Sequence, residues 1–224
     1  MARVLKTDIA GVDRRVTAGA VRELGWRRIF APDPPEPARF VVEIGFGRGE
    51  FLLDQAALEP ETAFVGVELS HKRVLKMARR VARLGVSNVR LVEARGEQVV
   101  SELLEPGSVD VFWINFPDPW PKRRHAGRRL IQSGFARELA TRLAPWGRLH
   151  VATDDPGYAA WIDAILSDVS GLANVHAPAP HVRDVPGRLQ TAYEREWRDR
   201  GRIPYFWTYE RPAASVLAQA DPAP

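Results

Sequence analysis

Short apolar runs rich in β-branched and aromatic residues alternate with stretches whose apolar positions recur every three or four residues, and few folds accept that alternation. The runs are Phe40–Ile44, Ala63–Val67, Val89–Val92, Val109–Ile114 and Arg148–Ala152, each bounded by Gly, Pro or acidic positions. The helical stretches are Glu50–Leu58, His71–Leu84, Glu97–Leu104, Gly127–Leu143 and Tyr158–Leu166. Along the second of these, Val74, Leu75, Ala78, Val81 and Leu84 share a face, and Gly85 stands where a C-cap glycine ends a helix. Repeated strand–helix units with buried strands predict an α/β fold: a doubly wound, mostly parallel sheet, helices on both faces, right-handed crossovers. Tyr205–Glu210 is an aromatic-rich run, Tyr-Phe-Trp-Thr-Tyr-Glu, and suits a late strand added antiparallel at the sheet edge.

The flanks differ in kind. Residues Ala31–Arg39 hold four prolines and continue neither a helix nor a central strand. The organisation expected is therefore a basic N-terminal arm with a Pro-rich linker over 1–39, a main domain over 40–211, and a frayed, disordered tail over 212–224. At 224 residues the chain supports one full core. The absence of cysteine excludes disulfides, zinc–thiolate sites, iron–sulfur clusters and cysteine nucleophiles. The opening residues are too charged for a signal-peptide core, and no stretch reaches the roughly 20 apolar residues of a membrane span, so a cytoplasmic protein is expected. The net charge of +4 is unevenly placed: Pro121–Arg148 carries eight basic residues against one acid, +7, which leaves −3 on the remainder. Such a local excess suggests a surface facing a polyanion.

The first strand runs into Glu43-Ile44-Gly45-Phe46-Gly47-Arg48-Gly49-Glu50. Alternate glycines let the backbone turn sharply and approach a ligand at the carboxyl end of strand one, where doubly wound sheets bind nucleotides. The spacing is G-x-G-x-G followed by an acid, not the dinucleotide fingerprint, and a carboxylate there opposes a pyrophosphate. S-adenosylmethionine carries a sulfonium and an ammonium and no phosphate, and suits an acid-rich loop better. Strand two ends at Glu68, placed to accept from both hydroxyls of an adenosine ribose or to support the helix beginning near Ser70. Glu43, inside an apolar run, binds the cofactor or anchors the loop. Strand three ends in Glu93-Ala94-Arg95-Gly96-Glu97, where the adenine is expected; Arg95 cannot accept a hydrogen bond, so nearby backbone groups or Glu97 would.

Strand four opens into Asn115-Phe116-Pro117-Asp118-Pro119-Trp120-Pro121-Lys122-Arg123-Arg124-His125. Three prolines stiffen this loop and are expected to hold Asp118 and Trp120 over the cofactor at the carboxyl edge of the sheet. Asp118 reads as catalytic or as a helix cap, and Trp120 as a core residue or a stacking surface for a base. His150, His176 and His181 lack metal-ligand spacing to one another, and no metal site is expected.

Here the chain resembles the bacterial tRNA (guanine-N(7)-)-methyltransferases, a class I family dependent on S-adenosylmethionine. The resemblance rests on EIGFGRGE (43–50), GVEL (66–69), NFPDPWPKRRH (115–125), RLI (129–131), ATD (152–154) and TAYE (191–194), in family order from about Arg14 to Arg211. It implies a Rossmann-like class I methyltransferase fold and cofactor contacts at Glu43, Gly45, Gly47, Glu68, Arg95 and Asp118. It further implies Asp118 as the catalytic residue and tRNA or guanosine contacts at Lys122, Asp154 and Thr191 to Glu194. Arg95 departs from the Asp or Asn usual in the family. By spacing, Thr191 and Glu194 also form a capping box for a helix through Arg200. The implied activity is methyl transfer to N(7) of a guanine in tRNA by a monomer or homodimer. A small-molecule methyltransferase, or an RNA-binding module with a vestigial cofactor pocket, are the competing readings.

Overall fold

The structure is a computed structural model that describes residues 8–31 and 37–213. Most of the expected proline linker and tail, residues 32–36 and 214–224, lies outside the described residues. The chain divides into two compact units after Val99.

The first unit contains β1 (Arg15–Val16), α1 (Ala18–Phe30), β2 (Arg39–Ile44), α2 (Glu50–Leu58), β3 (Thr62–Glu68), α3 (His71–Leu84), β4 (Val89–Glu93) and the start of α4 (Gly96–Leu103). Its strands lie in the order β1-β4-β3-β2 and every pair is parallel. All seven residues of β3 are buried, as a strand covered on both faces requires. Gly66 sits in its middle because a Cβ there would stand 2.5 Å from Leu52 and 2.9 Å from Phe46. Asn88 is also buried, and its amide donates to the carbonyls of Ala56, Glu59 and Thr62, pinning the α2–β3 connection to the foot of β4.

Val74, Leu75, Ala78 and Val81 are buried on α3 as the spacing predicts, whereas Leu84 is 57% exposed and Met77 is buried in addition. Leu84 belongs to the last turn, where Gly85 in the left-handed region (φ 65°) already turns the chain away. The segment set apart as an arm has structure of its own. Arg15–Val16 pairs with Leu91–Val92, and Thr17 caps α1 by accepting from the Ala20 N–H. The buried Arg90 guanidinium donates to the Ile29 and Phe30 carbonyls at the far end of α1.

The second unit contains β5 (Val109–Asn115), a 3-10 turn (Arg123–Arg128), α5 (Ser133–Arg142), β6 (Leu143–Thr153), α6 (Pro156–Ser167), β7 (Ala173–Asn174), α7 (Ala192–Arg198) and β8 (Tyr205–Glu210). Its strands run β5-β6-β8-β7, with β5 and β6 parallel and the other pairs antiparallel. The late antiparallel strand falls at Tyr205–Glu210 as expected, with the two-residue β7 outside it.

Two elements differ from their predicted bounds. The helix expected over Gly127–Leu143 is only α5, because Arg129 is extended (ψ 135°) and its side chain turns back to the Pro119 carbonyl. The strand expected over Arg148–Ala152 begins at Leu143, with a register shift against β5 between Val109 and Val111.

Gly66→Ala forces a methyl group against Leu52 and Phe46 in a filled core, and is expected to destabilise the protein by about 1–3 kcal/mol. Urea denaturation should show a lower midpoint with an unchanged m-value.

Candidate active site

In the first unit the loop between β2 and α2 is built on backbone that only glycine adopts freely. Gly45, Gly47 and Gly49 have φ of 78°, 57° and 79°. The Gly45 N–H donates to the Val67 carbonyl at 2.7 Å, tying the loop to the end of β3. Glu68, 7% exposed, closes it from the other side. One of its carboxylate oxygens accepts from the Gly47 N–H at 3.1 Å, the other from the Ser70 N–H at 2.9 Å, and Arg73 approaches at 3.4 Å. Ser70 is the N-cap of α3 without a side-chain cap bond, so Glu68 serves that helix start in its place.

Glu43 is 2% exposed in β2, and Arg95 is exposed between β4 and α4. No atom lies within 4 Å of a Cβ built on Gly45, which leaves space at the turn for a ligand to meet the main chain. A carboxylate offers about four acceptor positions, so Glu68 keeps capacity for ribose hydroxyls beside its own amide partners. An acid-flanked loop with this open backbone fits S-adenosylmethionine. Glu43, Gly45, Gly47 and Glu68 are the residues that would hold it, and Arg95 is offered at the mouth of the next strand.

In the second unit the loop after β5 is locked in another way. Phe116 and Trp120 both occupy the left-handed region (φ 52° and 43°), with Pro117, Pro119 and Pro121 between and beside them. Asp118 at the crest and Lys122 beyond it are exposed. Arg129 is buried beneath, donates to the Pro119 carbonyl at 2.9 Å and lies over the Tyr158 and Trp161 rings at 5.2 and 5.1 Å. Trp120 is neither a plain core residue nor a bare platform: Arg128 covers its ring at 5.0 Å and His125 meets it edge-on at 5.7 Å.

Asp154, at the tip of β6, accepts from Arg202 and lies 3.4 Å from the Tyr193 hydroxyl. Burial, and next the Asp154 carboxylate, push the Tyr193 hydroxyl above its ordinary range. Phe116 packs against Tyr193 at 5.1 Å, joining the Asp118 loop to α7. Thr191 is the N-cap of α7 and accepts from the Glu194 N–H at 2.9 Å, one half of the expected capping box, on a helix that ends at Arg198 and not at Arg200. The Glu194 carboxylate is 1% exposed and accepts from both Arg188 and Arg198. Arg188 in turn donates to the Asn115 side chain at 2.6 Å, fixing the end of β5.

The expected cofactor residues other than Asp118 thus share the first unit, while Asp118, Lys122, Asp154, Thr191 and Glu194 share the second. Sequence reasoning missed Arg188, Arg202 and Tyr158, which meet Asn115, Asp154 and Ile131 at separations of 73, 48 and 27 residues. His150 stacks on Trp113 at 4.0 Å and His181 pairs with Asp163, in separate places.

Residues 37–206 match the family described as "Putative methyltransferase". Among solved structures, the 16S rRNA methyltransferase KamB aligns with a TM-score of 0.61 at 16% identity, covering 83% of this chain and 93% of that one. A SAM dependent methyltransferase from Aquifex aeolicus aligns at 0.54 and 14% identity, covering 79% of this chain and 84% of that one. At these identities the likeness establishes the fold, which is that of the Rossmann-like methyltransferases with a mostly parallel sheet. Relatives named tRNA (guanine-N(7)-)-methyltransferase are 43% identical in Corynebacterium efficiens, over 76% of this chain and 68% of that protein, and 38% identical in Halorhodospira halophila, over 84% and 87%. The match to the Thermus thermophilus relative, at 38% identity, covers 82% of this chain and 56% of that protein. The chain belongs to the bacterial tRNA (guanine-N(7)-)-methyltransferase family. It spans 56% of the Thermus relative and 65% of one from Magnetococcus marinus.

Tyr158, fully buried, accepts from the Ile131 N–H, and burial raises its hydroxyl from 10.0 to about 12. The folded state therefore keeps a proton that the unfolded chain releases above pH 10. The stability tied to this group is present below about pH 10 and is lost between about pH 10 and 12, about 3 kcal/mol at most. Denaturation of the wild type and Tyr158→Phe across that range should show a steeper alkaline decline in the wild type; parallel declines would exclude the linkage.

Proposed function

We propose that the chain transfers the methyl group of S-adenosylmethionine to N(7) of a guanine in tRNA, acting in the cytoplasm. The reading is carried by one observation beside the family match: an exposed aspartate on a proline-locked, arginine-braced loop whose continuation is a run of exposed cations.

Glu43, Gly45, Gly47 and Glu68 bind the cofactor, with Glu68 accepting from the ribose, and the main chain beside Arg95 meets the adenine. When bound, S-adenosylmethionine supplies an electrophilic methyl on a cationic sulfur. Guanine N(7) carries a lone pair and no proton, so no residue has to act as a general base, and the chain's work is orientation and electrostatics. In this reading Asp118 accepts from guanine N–H groups and favours the positive charge that the purine acquires.

Asp154 is already engaged by Arg202 and the Tyr193 hydroxyl, and it presents its remaining acceptor positions to the base. Lys122 contacts phosphate or the guanine carbonyl oxygen, since donation to N(7) would consume the attacking lone pair. Thr191 and Glu194 serve substrate binding by fixing α7, and with it Tyr193, Arg188 and Arg198.

Mass spectrometry of nucleosides from unmodified tRNA treated with protein and cofactor should reveal N(7)-methylguanosine. Asp118→Ala is expected to lower turnover about 100-fold or more while tRNA affinity and melting temperature hold. Unchanged turnover would remove Asp118 from the reaction, and methylation of free metabolites with indifference to RNA would replace the assignment.

A further inference from the structure

We propose that the outer face of α3 is a second phosphate-binding surface, which contacts the RNA backbone in addition to the cations that follow Asp118. This inference rests on the tRNA reading above. Over His71–Leu84 the helix carries Lys72, Arg73, Lys76, Arg79, Arg80 and Arg83 and no acidic residue. At 100° per residue, Lys72, Lys76, Arg79 and Arg83 fall on one stripe running about 16 Å along the axis. The opposite face, Val74, Leu75, Met77, Ala78 and Val81, is buried against the unit's own core.

The stripe works against the helix that bears it. Cations one turn apart repel one another. Lys72 and Arg73 occupy the first turn, the positive end of the helix dipole, where acids are stabilising. Neighbouring groups relieve only part of this. Arg73 leans on Glu68, Arg80 on Glu50 at 3.8 Å, and Arg79 donates to the Asp8 carbonyl. Lys72, Lys76 and Arg83, all exposed, reach no carboxylate among the described residues. Charges held at a cost to the free protein, in register along one helix, are suited to a polyanion that neutralises several at once.

An anionic membrane would meet the same charge, but a membrane-surface helix needs an apolar face to insert, and that of α3 is already packed. Backbone phosphates need only the charge. The surface adds affinity and salt dependence and carries no sequence preference.

The test is the triple variant Lys72→Gln, Lys76→Gln, Arg83→Gln in the full chain, titrated with unmodified tRNA between 50 and 200 mM salt. Affinity should fall about tenfold or more, and the slope of log affinity against log salt should shrink by about two to three. The melting temperature should equal or exceed that of the wild type, since like-charge repulsion is relieved. An unchanged affinity and slope, beside a wild type that methylates tRNA, overturns this surface and leaves the activity standing. Failure of the wild type to bind tRNA overturns both. Binding of the wild type to phosphatidylserine vesicles, lost in the triple variant while tRNA binding is kept, assigns the stripe to lipid and also overturns the proposal.

Discussion

The buried carboxylate of Glu68 holds together the β2–α2 loop and the start of α3 in the first unit. Three left-handed glycines make the β2–α2 loop permissive, and permissive backbone needs an external anchor. Glu68 supplies it by accepting from the Gly47 and Ser70 main-chain N–H groups, so one side chain fixes both the glycine turn and the start of α3. Hydrogen bonds to a charged acceptor are the strong ones, about 1.5–3 kcal/mol each. The ribose-binding and helix-supporting readings of this residue therefore do not compete. A carboxylate already oriented by two amides presents its remaining lone pairs in a fixed direction, which is what a bidentate contact needs.

The second unit solves the matching problem with cations. Phe116 and Trp120 sit in backbone that costs of order 1–3 kcal/mol for residues with side chains, and such conformations persist only where surroundings hold them. Here the holding groups are guanidiniums: Arg129 on the Pro119 carbonyl from below, Arg128 over Trp120, and Arg188 between Asn115 and Glu194. Removing Glu194 would strand Arg188, 6% exposed, without its counter-charge, a loss of about 3–5 kcal/mol in comparable buried pairs. The arginine richness of the chain is thus partly architectural, and charge totals overstate what is left to face a ligand.

That division explains what was legible. β-branched runs and 3.6-residue periodicity placed the strands and helices of both units, because burial on both faces leaves a strong compositional mark. Arg129 defeated the helix expected from Gly127, since its reason for being extended is a carbonyl ten residues back, and periodicity carries no such term. The structure of Arg15–Phe30 was hidden because its partners, Leu91 and Arg90, lie about 60 to 76 residues on. Residues carried by local motifs, such as Gly45, Gly47, Glu68 and Asp118, stand out in the sequence as candidates for the site. Those defined by long-range pairing, such as Arg188 and Arg202, do not. A window count also found the cations after Pro121 and overlooked α3, whose charges are interleaved with core residues and appear only when the helix is wound.

Methyl transfer to a ring nitrogen that bears no proton asks little of acid–base chemistry and much of placement. A catalyst of that kind needs no group tuned toward neutrality; it needs acceptors that do not move. In the proposed reading the second unit supplies two: Asp118 on a loop whose main chain is fixed by prolines and Arg129, and Asp154 pinned by Arg202 and Tyr193. Phe116 packed on Tyr193 joins the two supports, so a shift of α7 would carry through to the Asp118 loop. Thr191 and Glu194 bear on the proposed site by that route: the cap and the buried ion pairs set where α7 begins, and α7 sets where Tyr193 stands.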